Sequence, residues 1–279
     1  MMKIGVIGAG VMGRGVAQCF AQKEFDVVVV DINDEIIQEA KEYIFNSVRF
    51  QAFFTKTGDN PQSVLERIRF TTDYSMLGSS EFLVENVPEK LDIKKEVYQK
   101  IDFICQESSV FAVNTSCVSI TKIASLTKRP ERVIGTHFMN PVPLTTTVEV
   151  IRGHHTSDET IQFTKDLMGS IGKECIIVND FPGFVSNRIS HLFMNEAAFV
   201  VQDNVACASD VDDIFKKCYG HKMGPLETAD LIGLDTVVDS LKVLYDYYED
   251  SKFRCCPLLK KMVDAGLLGK KTGEGFYKY

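Results

Sequence analysis

Two groups of residues in this 279-residue sequence have the types and spacing that chemistry requires. The first is Gly8-Ala9-Gly10-Val11-Met12-Gly13, a G-x-G-x-x-G run that follows the short apolar stretch Lys3–Ile7. In such a run the first glycine permits a tight turn, and the second lets a diphosphate approach the backbone. The third allows a helix to pack close against a strand. The opening turn of that helix offers unpaired N–H groups and a partial positive charge to an anion, so the whole loop, Val11 and Met12 included, would line a dinucleotide. Roughly 20 residues on, Asp31 closes a second apolar run, 27–30, where a carboxylate accepts hydrogen bonds from ribose hydroxyls. That carboxylate would repel a 2′-phosphate, and Ile32-Asn33-Asp34 brings no arginine to receive one. The expected cofactor is NAD over NADP.

The second group is His137, Glu149, Ser116 and Asn187. Oxidation of an alcohol needs a base for the hydroxyl proton. A histidine serves when one ring nitrogen takes that proton while the other donates to a carboxylate, which favours the imidazolium formed. His137 in His137-Phe138-Met139-Asn140-Pro141 and Glu149 in Val148-Glu149-Val150 are of the required types. Taken singly, a histidine of this kind is more often a structural strand-end residue, and such a glutamate more often a surface carboxylate. Ser116 in Asn114-Thr115-Ser116, and Asn187 in the run from Asp180 to Arg188, could hold a carbonyl or hydroxyl oxygen, although both types are also common helix caps. In open α/β sheets ligands bind beyond the carboxyl ends of strands, and Ser116 and His137 fall at such ends.

The elements that must position these residues follow from patterning. Short β-branched runs alternate with amphipathic stretches in the first half, which predicts βαβ units and a parallel sheet. Strands are expected at 3–7, 27–30, 82–85, 110–114, 133–136 and 174–178, with another around Glu149, and helices at 13–23 and 34–50. Residues 53–72 carry more charge and extend the second helix, which predicts a helical hairpin protruding from the sheet. After Asp180 the strand signal fades, and from Phe184 apolar residues recur at helical spacing (Ile189, Leu192, Phe193, Ala197, Val200). The expected fold is α/β: a Rossmann-like dinucleotide-binding domain over 1–183, with the helical hairpin as an insertion, and an all-helical domain over 184–279.

Composition bounds the alternatives. Hydrophobic residues at 45% and charged residues at 25% describe an ordinary globular chain. A net charge of −7 argues against a general nucleic-acid or anionic-membrane binder. No apolar run approaches the roughly 20 residues needed to span a bilayer, and the start lacks the apolar core of a signal peptide. A soluble, cytoplasmic protein is expected. The 8 cysteines show no C-x-x-C pair and no zinc spacing, so they are expected to be reduced and to act as small hydrophobes. No metal site is expected.

The ordered motifs NTS, HFMNPVP, VEV, DFPGFVSNR, GPLETADLIGLD and GKKTGEGFYKY, spread over nearly the whole chain, resemble those of the short-chain L-3-hydroxyacyl-CoA dehydrogenases, which include bacterial 3-hydroxybutyryl-CoA dehydrogenases. The resemblance implies NAD-linked oxidation of a (3S)-3-hydroxyacyl thioester to the 3-oxoacyl thioester, or the reverse. It also implies a helical dimerisation domain, hence a homodimer, and a cleft between the domains. On it, His137 is the catalytic base and Glu149 its orienting partner, while Ser116 and Asn187 position the substrate and the histidine. Asp31 is the ribose-binding acid, and Glu89, Lys94, Ser116, Asn140 and Lys271 contact NAD. Ser47 begins the segment that meets CoA. The family's lysine seven residues after that serine is Phe54 here, with Lys56 nearby. The family's V-M-K-L is replaced by Leu144-Thr145-Thr146-Thr147, and His221-Lys222 stands where an aromatic-Pro pair is usual. The expected substrate is an acyl-CoA thioester. An acyl group on a carrier protein is the alternative with the same chemistry, and a non-catalytic NAD-binding protein is the alternative of another class.

Overall fold

The computed structural model of the protein describes residues 2–55 and 59–279. Strands β1 (Lys3–Ile7) and β2 (Asp26–Val30) each begin with one exposed residue and are buried thereafter. Unbroken Val and Ile runs of this kind suit strands covered on both faces, which pair in parallel. Helix α1 (Val11–Gln22) connects them and packs Val16, Ala17, Phe20 and Ala21 into one core with Ile4, Val6, Val27 and Val29.

The chain continues through α2 (Asp34–Thr55), α3 (Pro61–Glu66), β3 (Ile68–Thr71), β4 (Phe82–Glu85), α4 (Leu91–Ile104) and β5 (Val110–Val113). It then forms α5 (Ile120–Ala124), β6 (Val133–Phe138), β7 (Thr147–Arg152), α6 (Asp158–Ser170) and β8 (Glu174–Asn179). Among the described residues these strands join one 8-stranded sheet in the order β3-β2-β1-β4-β5-β6-β7-β8. The order of its first six strands is that of a doubly wound dinucleotide-binding fold. The architecture is therefore α/β and Rossmann-like, followed by helices.

The structure differs from the sequence reading in two places. The sheet is not wholly parallel, because β7 runs antiparallel to β6 before β8 returns parallel to β7. The connection 139–146 is shorter than the dozen or so residues that a parallel crossover requires, so the chain can only turn back on itself. The stretch expected to extend the helical segment through residue 72 instead contains β3, an edge strand paired in parallel with β2 from Ile68 to Thr71. Its Ile-Arg-Phe-Thr alternation buries Ile68 and turns Arg69 outward, a period of two within an otherwise charged stretch. Asn60 caps the short helix α3 before it by accepting from the Gln62 N–H.

By compactness the chain divides after Phe181, the second unit being Pro182–Tyr279. That unit holds α7 (Ser186–Gln202), α8 (Ala208–Tyr219), α9 (Pro225–Ile232), α10 (Leu234–Tyr248) and α11 (Pro257–Asp264) around a core that includes Met194, Leu226, Leu234, Val237, Leu241 and Leu259. Two buried carboxylates tie it together. Asp212 accepts from the Leu226 and Glu227 N–H groups, each at 2.8 Å, and so caps α9 where the N-cap Gly224 has no side chain. Asp230 accepts from the Phe276 and Tyr277 N–H groups, each at 3.0 Å, and anchors the C-terminal segment.

All the cysteines are free thiols. Burial pushes the Cys19 thiol up to about 11 and that of Cys105 up to about 12, so both stay protonated and fill space. Among the described residues no helix is long and apolar enough to cross a membrane.

Candidate active site

The order of the strands reverses about β1, whose neighbours are β2 and β4, and the glycine loop leaves the sheet there. Gly8 adopts φ +88°, and a Cβ on it would lie 2.8 Å from the Asn86 carbonyl oxygen. A Cβ on Gly13 would lie 1.8 Å from the Gly8 carbonyl oxygen, so any larger residue would push α1 off the loop. Gly10 differs: nothing lies within 4 Å of the place its Cβ would take, and as the N-cap of α1 it offers the first-turn N–H groups no side-chain acceptor. An open glycine before an uncapped helix start is an anion cradle. Beside it the Asp31 carboxylate is fixed, accepting from the Ala9 N–H at 2.6 Å and from the Ile32 N–H at 2.7 Å. The apolar side chains of Val11 and Ile32 are exposed around it. These residues fit the diphosphate and ribose of a dinucleotide.

The second group assembles on the antiparallel pair. His137 on β6 and Glu149 on β7 face each other in register. Directly opposed residues on an antiparallel pair project from the same face with Cβ atoms about 5 Å apart. Their side chains meet with His137 Nδ1 3.0 Å from Glu149 Oε2, and both are nearly enclosed, at 6% and 8% exposure. On the other side of the ring, His137 Nε2 lies 3.1 Å from Ser116 Oγ. A carboxylate can only accept, so it assigns the ring proton to Nδ1 and leaves the Nε2 lone pair facing the serine hydroxyl. The turn between the two strands is clasped by Lys173, whose ammonium donates to the Val142 and Thr145 carbonyl oxygens at 2.7 and 2.6 Å.

The loop that carries Ser116 follows β5 and is gripped by Glu89. One Glu89 carboxylate oxygen accepts from the Thr115 hydroxyl, from the Ser116 N–H at 2.9 Å and from the Cys117 N–H at 3.1 Å. The other lies 3.4 Å from the Lys94 ammonium. Burial acts to raise the Glu89 carboxyl, but Lys94 and these three donors outweigh it and hold the group below the usual carboxylate range. Lys94 is itself fully enclosed, 2.9 Å from both carboxylate oxygens of Glu85. Asn114 ties the same loop to β6: its Nδ2 donates to Asn86 Oδ1 at 2.7 Å, and its Oδ1 accepts the Phe138 N–H at 3.2 Å.

One network thus holds Ser116, His137, Glu149, Glu89 and Lys94. Asn140 is exposed just after β6, and Ser47 is half-buried on α2. Lys56 lies outside the described residues. Asn187 and Lys271 belong to the second unit. There Asn187 stands in the first turn of α7 and its carbonyl oxygen is 2.9 Å from His191 Nδ1, while Lys271 pairs with Asp235. The sequence reading passed over Glu85, Asn86, Asn114 and Lys173. Asn114 stands inside the NTS motif, but nothing in the local pattern marks an asparagine that links two strand ends, or a lysine whose ammonium donates to two carbonyl oxygens.

Comparison with known proteins places both units. Residues 3–181 match the family model of the 3-hydroxyacyl-CoA dehydrogenase NAD binding domain, and residues 183–279 match that of the 3-hydroxyacyl-CoA dehydrogenase C-terminal domain. The chain is 47% identical to a probable 3-hydroxybutyryl-CoA dehydrogenase of Deinococcus radiodurans, covering 100% of both chains. It is 40% identical to a 3-hydroxybutyryl-CoA dehydrogenase of Bradyrhizobium diazoefficiens, covering 99% of this chain and 95% of that one. Among solved structures it superposes on (S)-3-hydroxybutyryl-CoA dehydrogenase from Ralstonia eutropha with a TM-score of 0.96 at 40% identity, covering 100% and 99% of the two chains.

Proposed function

The chain belongs to the 3-hydroxyacyl-CoA dehydrogenase family, and from that premise we propose that it interconverts (3S)-3-hydroxyacyl-CoA and 3-oxoacyl-CoA thioesters, with 3-hydroxybutyryl-CoA as the model substrate. NAD is its cofactor. The observation that carries the reading is the place of His137, its Nε2 against Ser116 Oγ and its Nδ1 against Glu149 Oε2.

Bound NAD supplies the hydride acceptor for the carbinol carbon. The chain's own residues manage the proton. His137 Nε2, left as the acceptor nitrogen by the bond at Nδ1, takes the substrate hydroxyl proton as the carbonyl forms. Glu149 stabilises the resulting imidazolium through a hydrogen bond that becomes charge-assisted at both ends. In the reductive direction the same imidazolium returns the proton to the oxygen. Ser116 Oγ, within hydrogen-bond distance of the nitrogen that exchanges the proton, orients the substrate oxygen toward it. By the family resemblance Asn187 is assigned to the same task, Glu89, Lys94, Asn140 and Lys271 to the cofactor side, and Ser47 to the acyl-CoA side.

The similarity to 3-hydroxybutyryl-CoA dehydrogenases favours CoA over a carrier protein as the thioester's partner. The test is NADH oxidation by the purified protein with acetoacetyl-CoA, longer 3-oxoacyl-CoAs and the same acyl groups on a carrier protein. Turnover of acetoacetyl-CoA is expected, with kcat/KM above that for the carrier-linked form. Failure to consume NADH with any 3-oxoacyl-CoA would end this reading, and a higher kcat/KM on the carrier would move the substrate there.

The assembly we propose is a symmetric homodimer through the helical unit, which leaves Ile189 64% and Leu231 52% exposed in the single chain. A solution mass of twice 31.3 kDa is expected. Light scattering that finds only the single-chain mass at micromolar concentration would contradict it.

A further inference from the structure

Arg14 stands in the first turn of α1, where no acidic residue accompanies it and a positive charge opposes the helix dipole. Its guanidinium carbon lies 3.7 Å from the centre of the Tyr43 ring on α2. Stacking of this kind fixes the plane of the guanidinium and leaves its N–H edges to a ligand. Among the described residues it forms no ion pair, and its Nε–H, although enclosed, meets no acceptor. An enclosed donor without an acceptor is a cost, and the guanidinium fork matches the oxygens of a phosphate.

The contacts around it define a seam between α1 and α2. Tyr43, Ser47 and Gln51 recur at four-residue spacing, so they share one face of α2. Tyr43 meets Arg14 at one end of that face. At the other, Gln51 Oε1 accepts from Gln18 Nε2 and from Gln22 Nε2, each at 3.2 Å. Ser47, half-buried between the two, therefore faces α1, and the residue one turn before it carries the guanidinium.

We propose that Arg14 binds a phosphate group of the CoA thioester, and so supplies from α1 the cation that Phe54 does not bring from α2. The proposal rests on the acyl-CoA reading above and on the place of Ser47 in it. Arg49 is another arginine near that serine, but at about 100° per residue it stands on a different face of α2, and it is exposed. The diphosphate of NAD has the N–H groups of the glycine loop to meet it, whereas the Arg14 side chain leaves α1 toward α2. The phosphate closest to hand for it is therefore one carried past Ser47.

The test compares acetoacetyl-CoA with acetoacetyl-pantetheine, the same thioester without phosphates, in the wild type, Arg14→Gln and Arg49→Gln. Losing a charged hydrogen-bond partner corresponds to about tenfold in affinity, so Arg14→Gln is expected to raise KM for acetoacetyl-CoA about tenfold. Its kcat should stay within about twofold, because a phosphate remote from the reacting carbonyl is bound alike in ground and transition states. On acetoacetyl-pantetheine Arg14→Gln should match the wild type, and its NADH Kd, read by fluorescence, should stay within about twofold. Arg49→Gln should behave as the wild type on both thioesters. Acetoacetyl-3′-dephospho-CoA tells the phosphates apart. A difference between Arg14→Gln and wild type that vanishes on it assigns the 3′-phosphate, one that persists assigns the diphosphate, and either supports the proposal. An equal rise in KM on the pantetheine thioester overturns it. So does an NADH Kd weakened about tenfold with KM for acetoacetyl-CoA unchanged, which would give Arg14 to the cofactor. If Arg14→Gln does not fold, Arg14→Lys takes its place. It keeps the charge without the fork, so a smaller rise in KM is expected, again confined to the phosphate-bearing thioester. A wild type that consumes NADH with no 3-oxoacyl-CoA overturns the reading on which the proposal rests. Normal wild-type turnover with an unchanged KM in Arg14→Gln overturns only the role of Arg14.

Discussion

His137→Ala is expected to lower kcat by about a hundredfold or more while leaving NADH affinity nearly unchanged, the usual consequence of removing a positioned general base. The imidazole is nearly enclosed, with Nδ1 3.0 Å from Glu149 Oε2 and Nε2 3.1 Å from Ser116 Oγ, so its removal takes away the group on which the proton path is built. The glycine loop and Asp31 stand on other strands, β1 and β2 with α1, and His137 itself is not among the residues assigned to the cofactor, which is why cofactor binding and turnover should separate. Glu149→Gln keeps the shape and an acceptor for Nδ1–H but withdraws the charge that stabilises the imidazolium, so a smaller loss in kcat is expected there. Steady-state NADH oxidation and fluorescence titration of the folded variants measure both quantities. Near-normal kcat in His137→Ala would remove the histidine from the mechanism.

Asp31→Ala is expected to weaken NAD binding more than tenfold and to relax the rejection of NADP. A hydrogen bond to a charged group is worth about 1.5–3 kcal/mol, and each 1.4 kcal/mol is a factor of ten. The carboxylate accepts from the Ala9 and Ile32 N–H groups, so it is held beside the glycine loop before any ribose arrives. The substitution removes the ribose acceptor and also loosens the loop that meets the diphosphate. The two effects differ in their readout. Loss of the acceptor weakens NADH selectively, whereas loosening of the loop weakens NADH and NADPH alike. A ratio of kcat/KM values for the two cofactors separates them, and a wild-type protein that already prefers NADPH would strip Asp31 of its discriminating role.

Much of the first unit was legible because its signals are local. The glycine run needs only its own few residues to declare a strand, a turn and a helix start, and the unbroken valines of β2 declare a strand buried on both faces. The shift from β-branched runs to helical spacing likewise marks where the sheet ends and the helices begin, since it is a change of period and not of any one residue. The strand β3 was missed although its four residues alternate, because the charged helical stretch before it dominates a longer window. The mixed direction of the sheet was missed although the 139–146 connection is too short for a crossover, a constraint of chain length and not of residue type.

The sequence by itself determined the glycine loop, the acid beside it, and the set of polar residues from which a proton-transferring centre could be drawn. Only the tertiary structure decided how those residues meet. His137 and Glu149 stand 12 residues apart, and it is the antiparallel register of β6 and β7 that sets them opposite one another. Ser116 reaches the ring because β5 and β6 are neighbours in the sheet. Lys94 reads in sequence as one of several charges at a helix start, and it becomes a buried link only because α4 begins beneath the end of β4, where Glu85 waits and water does not reach. The physical reason is common to all three. Period, turn chemistry and capping act over a few residues, whereas register and desolvation depend on which distant segment the fold lays alongside.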